Sequence, residues 1–201
     1  MTVRMFAGAA CAGVLATLMF LSGCAGTPPV FEQRYLLPIT AVPVAPPEDA
    51  ARRLSIEPLR LAPFLQSDGI VMQTGAVTIH QGSNHLWAED LSTQLQRMLR
   101  QELARKLRHV RLLDDGDPTP AAGPLRRLEV EVDAFHGRYD GMAVVAGQWW
   151  LRDGEGRLLT SRPFLIEQPL QADGYQALVK SLAAAWQSVT GEIAQALAAG
   201  W

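Results

Sequence analysis

Cysteine is almost missing from this chain. Among 201 residues there are two, Cys11 and Cys24, and none follows. A body without cysteine has no disulfide, no thiolate zinc site and no cysteine nucleophile. A basic excess is missing as well: 18 Lys and Arg stand against 20 Asp and Glu, a net charge of −2. Neutralising nucleic-acid phosphates needs the opposite balance, so no nucleic acid is expected as a partner. The common catalytic signatures are missing too. The sequence has no G-x-S-x-G, Walker, G-x-G-x-x-G or H-E-x-x-H motif. Finally, only one long apolar run exists, and it lies at the N-terminus.

That run is "MFAGAACAGVLATLMF", residues 5 to 20, preceded by the basic Arg4. It is shorter than the roughly 20 residues a spanning helix needs. It also contains Gly8 and Gly13, each of which disfavours a helix by about 0.5–1 kcal/mol. A basic start, an apolar stretch and a small-residue exit read as a secretory signal. The exit is "LSGC": Leu21, Ser22, Gly23 and Cys24. It resembles the lipobox of bacterial lipoproteins, in which the cysteine thiol is acylated, the peptide is cut before it, and the new amine is acylated in turn. Residues 1–23 are then the signal peptide and Cys24 the lipid attachment site. Cys11 leaves with the signal, and loss of Arg4 takes the charge to about −3. Ala25 stands where an inner-membrane lipoprotein commonly has Asp. The resemblance therefore implies the outer membrane, facing the periplasm, held by palmitate-type chains. One acyl chain is a marginal anchor and two signals hold stably; three would be permanent.

Residues 24–33 are small and proline-containing and read as a tether. At no more than ~3.6 Å per residue, it would hold the body within ~36 Å of the lipid. Residues 34–201 read as one α/β (α+β) domain: a mixed, largely antiparallel sheet with two long amphipathic helices packed on it. "RYLLPI" is a first short strand, and "TAVPVAPPEDAA" is a proline-rich loop. "RRLSIEPLRL" reads as a strand broken near Pro58. Strands at 70–73 and within "GAVTIHQG" suggest a hairpin with Gly75 at its turn. Trp87, Leu91, Leu95, Met98, Leu99, Leu103 and Leu107 recur at three and four, predicting a helix over 86–107 capped by Ser83 or Asn84. "HVRLL" is a strand, and "DDGDPTPAAGP" a loop. "RRLEVEVDAF" alternates Leu128, Val130, Val132 and Ala134 against Glu129, Glu131 and Asp133, as a half-buried strand does. "MAVVAGQWWLRD" is apolar on both faces and reads as a central or helix-covered strand. "RLLTSRPFLIEQ" completes an antiparallel meander. The last helix spans about 174–199, with Asp173 and Gln176 spaced as a capping box and Gly200 placed to end it.

Chemistry-bearing clusters are sparse. His80 and His85 have no clear third metal ligand, and His109 and His136 are isolated. Asp114, Asp115 and Asp117 lack the spacing of a calcium loop. Lys180 and Ser181 are adjacent on a helix and point apart. The acidic row of 129–133 reads as the wet side of a strand. Trp149 and Trp150 put one indole on each face of a strand, while Trp87 and Trp186 lie on apolar helix faces. The segment "PFLQSDGIVMQ" gathers Phe64, Leu65, Ile70, Val71, Met72 and Gln73 about a turn. Core is the ordinary expectation for most of them. A part left exposed would be a candidate partner-contact patch.

The pieces in order are a lipobox, "RYLL", "LSIEPLRLAPFLQSDGIVMQT", "LWAEDLSTQLQRMLRQEL", "RLEVEVDAFHG", "AGQWWLRDGEGRLL" and "DGYQALVKSLAAAWQSVTGEIAQAL". Together they resemble the PqiC/YmbA family of ABC-type transport auxiliary lipoproteins over nearly the whole mature chain. One departure is Gln73, where a basic residue commonly follows the "IV" strand. The resemblance implies a non-enzymatic, cofactor-free docking subunit of an intermembrane lipid or hydrophobic-solute transport system. Its expected partners are an MCE-domain protein and inner-membrane transporter components. A ring of copies would suit a cyclic conduit end. A stand-alone lipid-binding lipoprotein is the alternative, and it calls for a dry pocket of about 300 Å³ or more between sheet and helices. A hydrolase would call for a cleft with converging titratable groups.

Overall fold

The strand β7, Leu125–Arg138, is the spine of the sheet. On one edge it pairs antiparallel with β8, Met142–Asp153, from Arg126↔Asp153 to Gly137↔Ala143. On its other edge three short strands take turns. β2, Arg52–Ile56, pairs beside Leu125–Leu128; β3, Arg60–Leu61, beside Glu131 and Val132; β4, Gly69–Gln73, beside Gly137 and Arg138. All three run parallel to β7. The break expected at Pro58 is therefore real: β2 and β3 are one interrupted strand on one neighbour. A 3₁₀ turn at Pro63–Leu65 leads from β3 to β4.

Outward from β4 come β5, Ile79–Trp87, antiparallel to it, and β1, Gln33–Tyr35, parallel to β5. β6, Val110–Leu113, lies parallel to β2. β9, Leu158–Pro169, closes the meander beside β8. This computed structural model describes residues 31–38, 52–113 and 124–200. The signal, Cys24, most of the tether, the proline-rich loop, the 114–123 loop with its three aspartates, and Trp201 lie outside the described residues. From Glu32 onward the chain forms one compact unit. The fold is α+β: among the described residues, a nine-stranded mixed sheet with two long helices.

The helices are α1, Leu91–Lys106, and α2, Tyr175–Ala199. Both pack on a single core. Leu95, Leu99 and Leu103 of α1 and Leu182, Trp186, Ile193 and Leu197 of α2 meet Leu128, Val132, Phe135, Val145 and Trp149 of the sheet. Trp186 is fully buried, and its Nε1–H donates to Leu95 O at 3.1 Å, tying the helices together. Phe164 meets its ring edge-on at 6.1 Å. Phe164 lies across from Gly147, where a Cβ would sit 2.1 Å from Glu131 O. Only glycine permits that approach.

Three local expectations are corrected. Residues 86 and 87 do not begin α1; β5 runs through Trp87. Strand alternation and helical spacing both turn Trp87 inward, so the periodicity could not separate them. The cap is Asp90, whose carboxylate accepts from Thr93 N–H at 3.0 Å and from the Ser92 hydroxyl, rather than Ser83 or Asn84. These bonds, the Ser92 hydroxyl first, hold the Asp90 carboxyl below the usual range. Second, no capping box forms at α2. Gly174 takes the N-cap at φ +95°, with no side-chain cap. Third, β7 does not alternate to its end. A bulge between Val132 and Ala134 adds a residue, so the inward side passes to Phe135 and Gly137 and Ala134 turns away.

Candidate functional site

β1 is the first element of the described body. Leu37 N–H, just beyond this strand, donates to the buried Gln94 Oε1 at 2.8 Å, and the Gln94 amide donates to Glu89 O at 3.0 Å. Tyr35 reaches back over β5. Its hydroxyl donates to Gln33 Oε1 at 2.6 Å and lies 2.9 Å from His85 Nδ1. A phenol has one proton, so with that proton on Gln33 the imidazole N–H is the donor of the second bond. His85 stacks on Tyr175 at 3.8 Å between centroids and 13° between planes. Burial, then the nearby Tyr175, pushes the Tyr35 phenol above its ordinary pKa. One strand, one bulged strand and the first turn of α2 thus converge beside β1. The spacing of residues 35, 85 and 175 gives no hint of this. His85 had drawn notice only as a metal ligand.

The proposed contact patch divides. Leu65, Ile70 and Val71 are at most 2% exposed and belong to the core, where β4 is covered on both faces. Phe64 and Met72 pack against that core while half-buried, and Gln73 is half-buried at the end of β4. As folded, the six residues do not form one open surface.

The acidic row of β7 is on the open side of the sheet and is matched by cations. Glu131 pairs with Arg60 at 3.1 Å and Glu129 with Arg152 at 2.8 Å. The Arg60 guanidinium also lies 5.7 Å from the Trp150 ring. Of the two adjacent indoles, Trp149 is buried beneath the helices and Trp150 is half-buried on this open side. His80 and His109 are exposed, and His136 binds its neighbour Gly137 O at 3.0 Å. Among the described residues no three His, Cys, Asp or Glu side chains gather as a metal site. Ser181 is buried in helix packing while Lys180 is exposed.

The space between sheet and helices is filled by Trp186, Phe135 and leucines at 2% exposure or less. A groove of about 530 Å³ opens instead outside α1, between Pro58 and Leu59 and the polar Gln96, Arg97 and Arg100. Gln96 closes its floor, accepting from Leu59 N–H at 3.0 Å. Among the described residues no helix is long and apolar enough to cross a membrane.

The model of the ABC-type transport auxiliary lipoprotein component family matches residues 35–194. The chain belongs to this family. It is 32% identical over 178 residues to the intermembrane transport lipoprotein PqiC of Escherichia coli K12, covering 88% of this chain and 91% of that protein. The same figures hold for PqiC of Shigella flexneri. A crystal structure of an uncharacterised protein, 32% identical, superposes with a TM-score of 0.70 over 83% of this chain and 99% of the other. A Xanthomonas campestris protein, 16% identical, has the same fold at a TM-score of 0.64. The match begins at Tyr35, the residue bonded to Gln33 and His85, and ends within α2. Membership makes this chain an auxiliary lipoprotein of a transport system, in a family not known for catalysis.

Proposed function

We propose that the protein is an outer-membrane lipoprotein that docks the far end of an intermembrane lipid-transport system. Cys24, released by cleavage after Leu21, Ser22 and Gly23, carries the acyl chains, and the body faces the periplasm. Its partners are an MCE-domain protein and, through it, the inner-membrane transporter. Copies assemble as a ring around the conduit end. The part played is tethering rather than chemistry. The observation that carries this reading is the near full-length kinship with an intermembrane transport lipoprotein, joined to the lipobox ahead of a body rooted by a buried glutamine and an aromatic lock.

The body suits a dock. Its core is packed with indole and leucine, which favours a rigid support over a lipid carrier that must hold an acyl chain. The open side of the sheet, with Trp150 under Arg60, and the half-buried Phe64 are the surfaces offered to the partner.

Intact mass and membrane fractionation test the anchor. The membrane-extracted protein is expected to begin at a triacylated Cys24 and to band with outer membranes. Cys24→Ala should leave the signal peptide attached and shift the protein out of that fraction. A wild-type chain with no added acyl mass would end the proposal.

A further inference from the structure

The two ends of the sheet differ in what their turn tips expose. The β8–β9 turn itself presents Asp153, Gly154, Glu155, Gly156 and Arg157, with Arg157 paired to Asp153 at 2.8 Å, and the exposed Leu158 (52%) and Leu159 (46%) lie behind it at the start of β9. The opposite end carries the β4–β5 and β7–β8 tips. Register brings these side by side: Gln73 is opposite Ile79 on one edge and Arg138 on the other. The first tip is closed by Thr74 N–H to Thr78 O at 2.9 Å, the second by Gly141 N–H to Arg138 O at 3.0 Å. Neither tip hides its apolar side chains. Val77 is 94% exposed, Tyr139 63% and Ile79 49%.

We infer that this end of the body seats on the lipid surface that holds the anchor, with Val77, Ile79 and Tyr139 in its headgroup layer. The inference rests on lipidation at Cys24. The direction of the chain supplies the argument. β1 runs parallel to β5, with Gln33 beside His85 and Tyr35 beside Trp87. Residues ahead of Gln33 therefore arrive from the side on which β5 begins, the side of Ile79 and Val77. From Gln33 back to Cys24 the chain spans at most about 30 Å. From His85 to Ile79 along β5 is at most about 20 Å. The anchor reaches past the tips, so the lipid can meet them without unfolding the root. Arg34 pairs with Glu32 at 2.6 Å at the tether root. The tip cation Arg138 pairs with Asp140 at 2.8 Å and with Glu167 at 2.5 Å; the trio carries one net negative charge, so apolar burial and the anchor, not attraction to anionic headgroups, would hold the tip. Tyr139 suits a boundary with one wet side. Apolar side chains of interfacial segments bury about 5–10 Å into such a surface.

The test uses the full acylated protein in vesicles of phosphatidylethanolamine and phosphatidylglycerol. Cys24 is blocked by its lipid, so Val77→Cys supplies the free thiol for a nitroxide label. Glu155→Cys at the other end is the reference. Collisions with oxygen, which concentrates in lipid, are compared with collisions with a water-soluble nickel chelate. The oxygen-to-nickel ratio at 77 should be several-fold higher than at 155, and a label at Tyr139→Cys should follow 77. Equal, water-like ratios at 77 and 155 on protein that floats with the vesicles would overturn the inference alone. A label at 77 shielded from both reagents would overturn it in favour of a second copy or protein partner covering the tip. Protein that does not float with the vesicles would remove the anchor reading and this inference together.

Discussion

Trp149 and Trp150 are neighbours in sequence and opposites in circumstance. The first is sealed beneath two helices; the second lies half-buried under an arginine on the open side of the same strand. Along β7 and β8 the sheet therefore has one face that makes the fold and one that stays open. On the closed face every deletion leaves a hole. On the open face side chains are held by ion pairs that water partly replaces. The lesson is that the aromatic and apolar residues of this chain must be sorted by face before any is assigned to a partner. Leu65, Ile70 and Val71 show why, since a promising apolar segment is mostly core.

The contrast can be broken from the closed side first. Trp186→Ala removes a fully buried indole, its edge contact with Phe164 and its bond to Leu95 O. A loss of about 3–5 kcal/mol is expected in urea unfolding of the soluble body. Gly147→Val forces a side chain toward Glu131 O and Phe164 and should cost about 1–3 kcal/mol, read the same way. Asp90→Ala at the start of α1 should cost about 1 kcal/mol at neutral pH. Because the folded Asp90 carboxyl is depressed, its contribution is complete above the unfolded carboxylate pKa of about 3.9 and fades as pH falls through the folded value. The gap between Asp90→Ala and the parent should thus close in acid; a gap unchanged at low pH would assign the effect to something other than the charge. On the open face, Trp150→Ala should cost only about 1 kcal/mol, since an exposed cation–π contact contributes 0.5–1. If Trp150→Ala rivals Trp186→Ala in stability, the division of the sheet into a structural and a free face is wrong.

The strands of the meander were legible because their alternation and turn glycines are local signals. β8 was bounded to the residue and lies between β7 and β9, while from Ala146 to Arg152 its second face is only half-buried. The long faces of α1 and α2 were legible for the same reason. What was not legible depends on partners distant in sequence. The bulge at Asp133 arises from the fit of β7 to β8, and alternation alone carried the pattern one residue too far. The start of α1 was misplaced because Trp87 satisfies two periods at once. The order of β2, β3 and β4 along one edge of β7 has no local signature. At the candidate site, Tyr35, His85 and Tyr175 are brought together from three elements. The exposure of Val77 was hidden in a stretch that reads simply as a strand. The "LSGC" reading is the opposite case: it rests on a short motif that concerns processing, and the fold neither supports nor opposes it.

The central claim is tested most directly by purifying the acylated, C-terminally tagged protein from membranes and identifying both the proteins and the lipids that come with it. The account predicts an MCE-type protein with little stoichiometric lipid. About one phospholipid per chain, with no such partner, would contradict it and make the protein a lipid carrier in its own right.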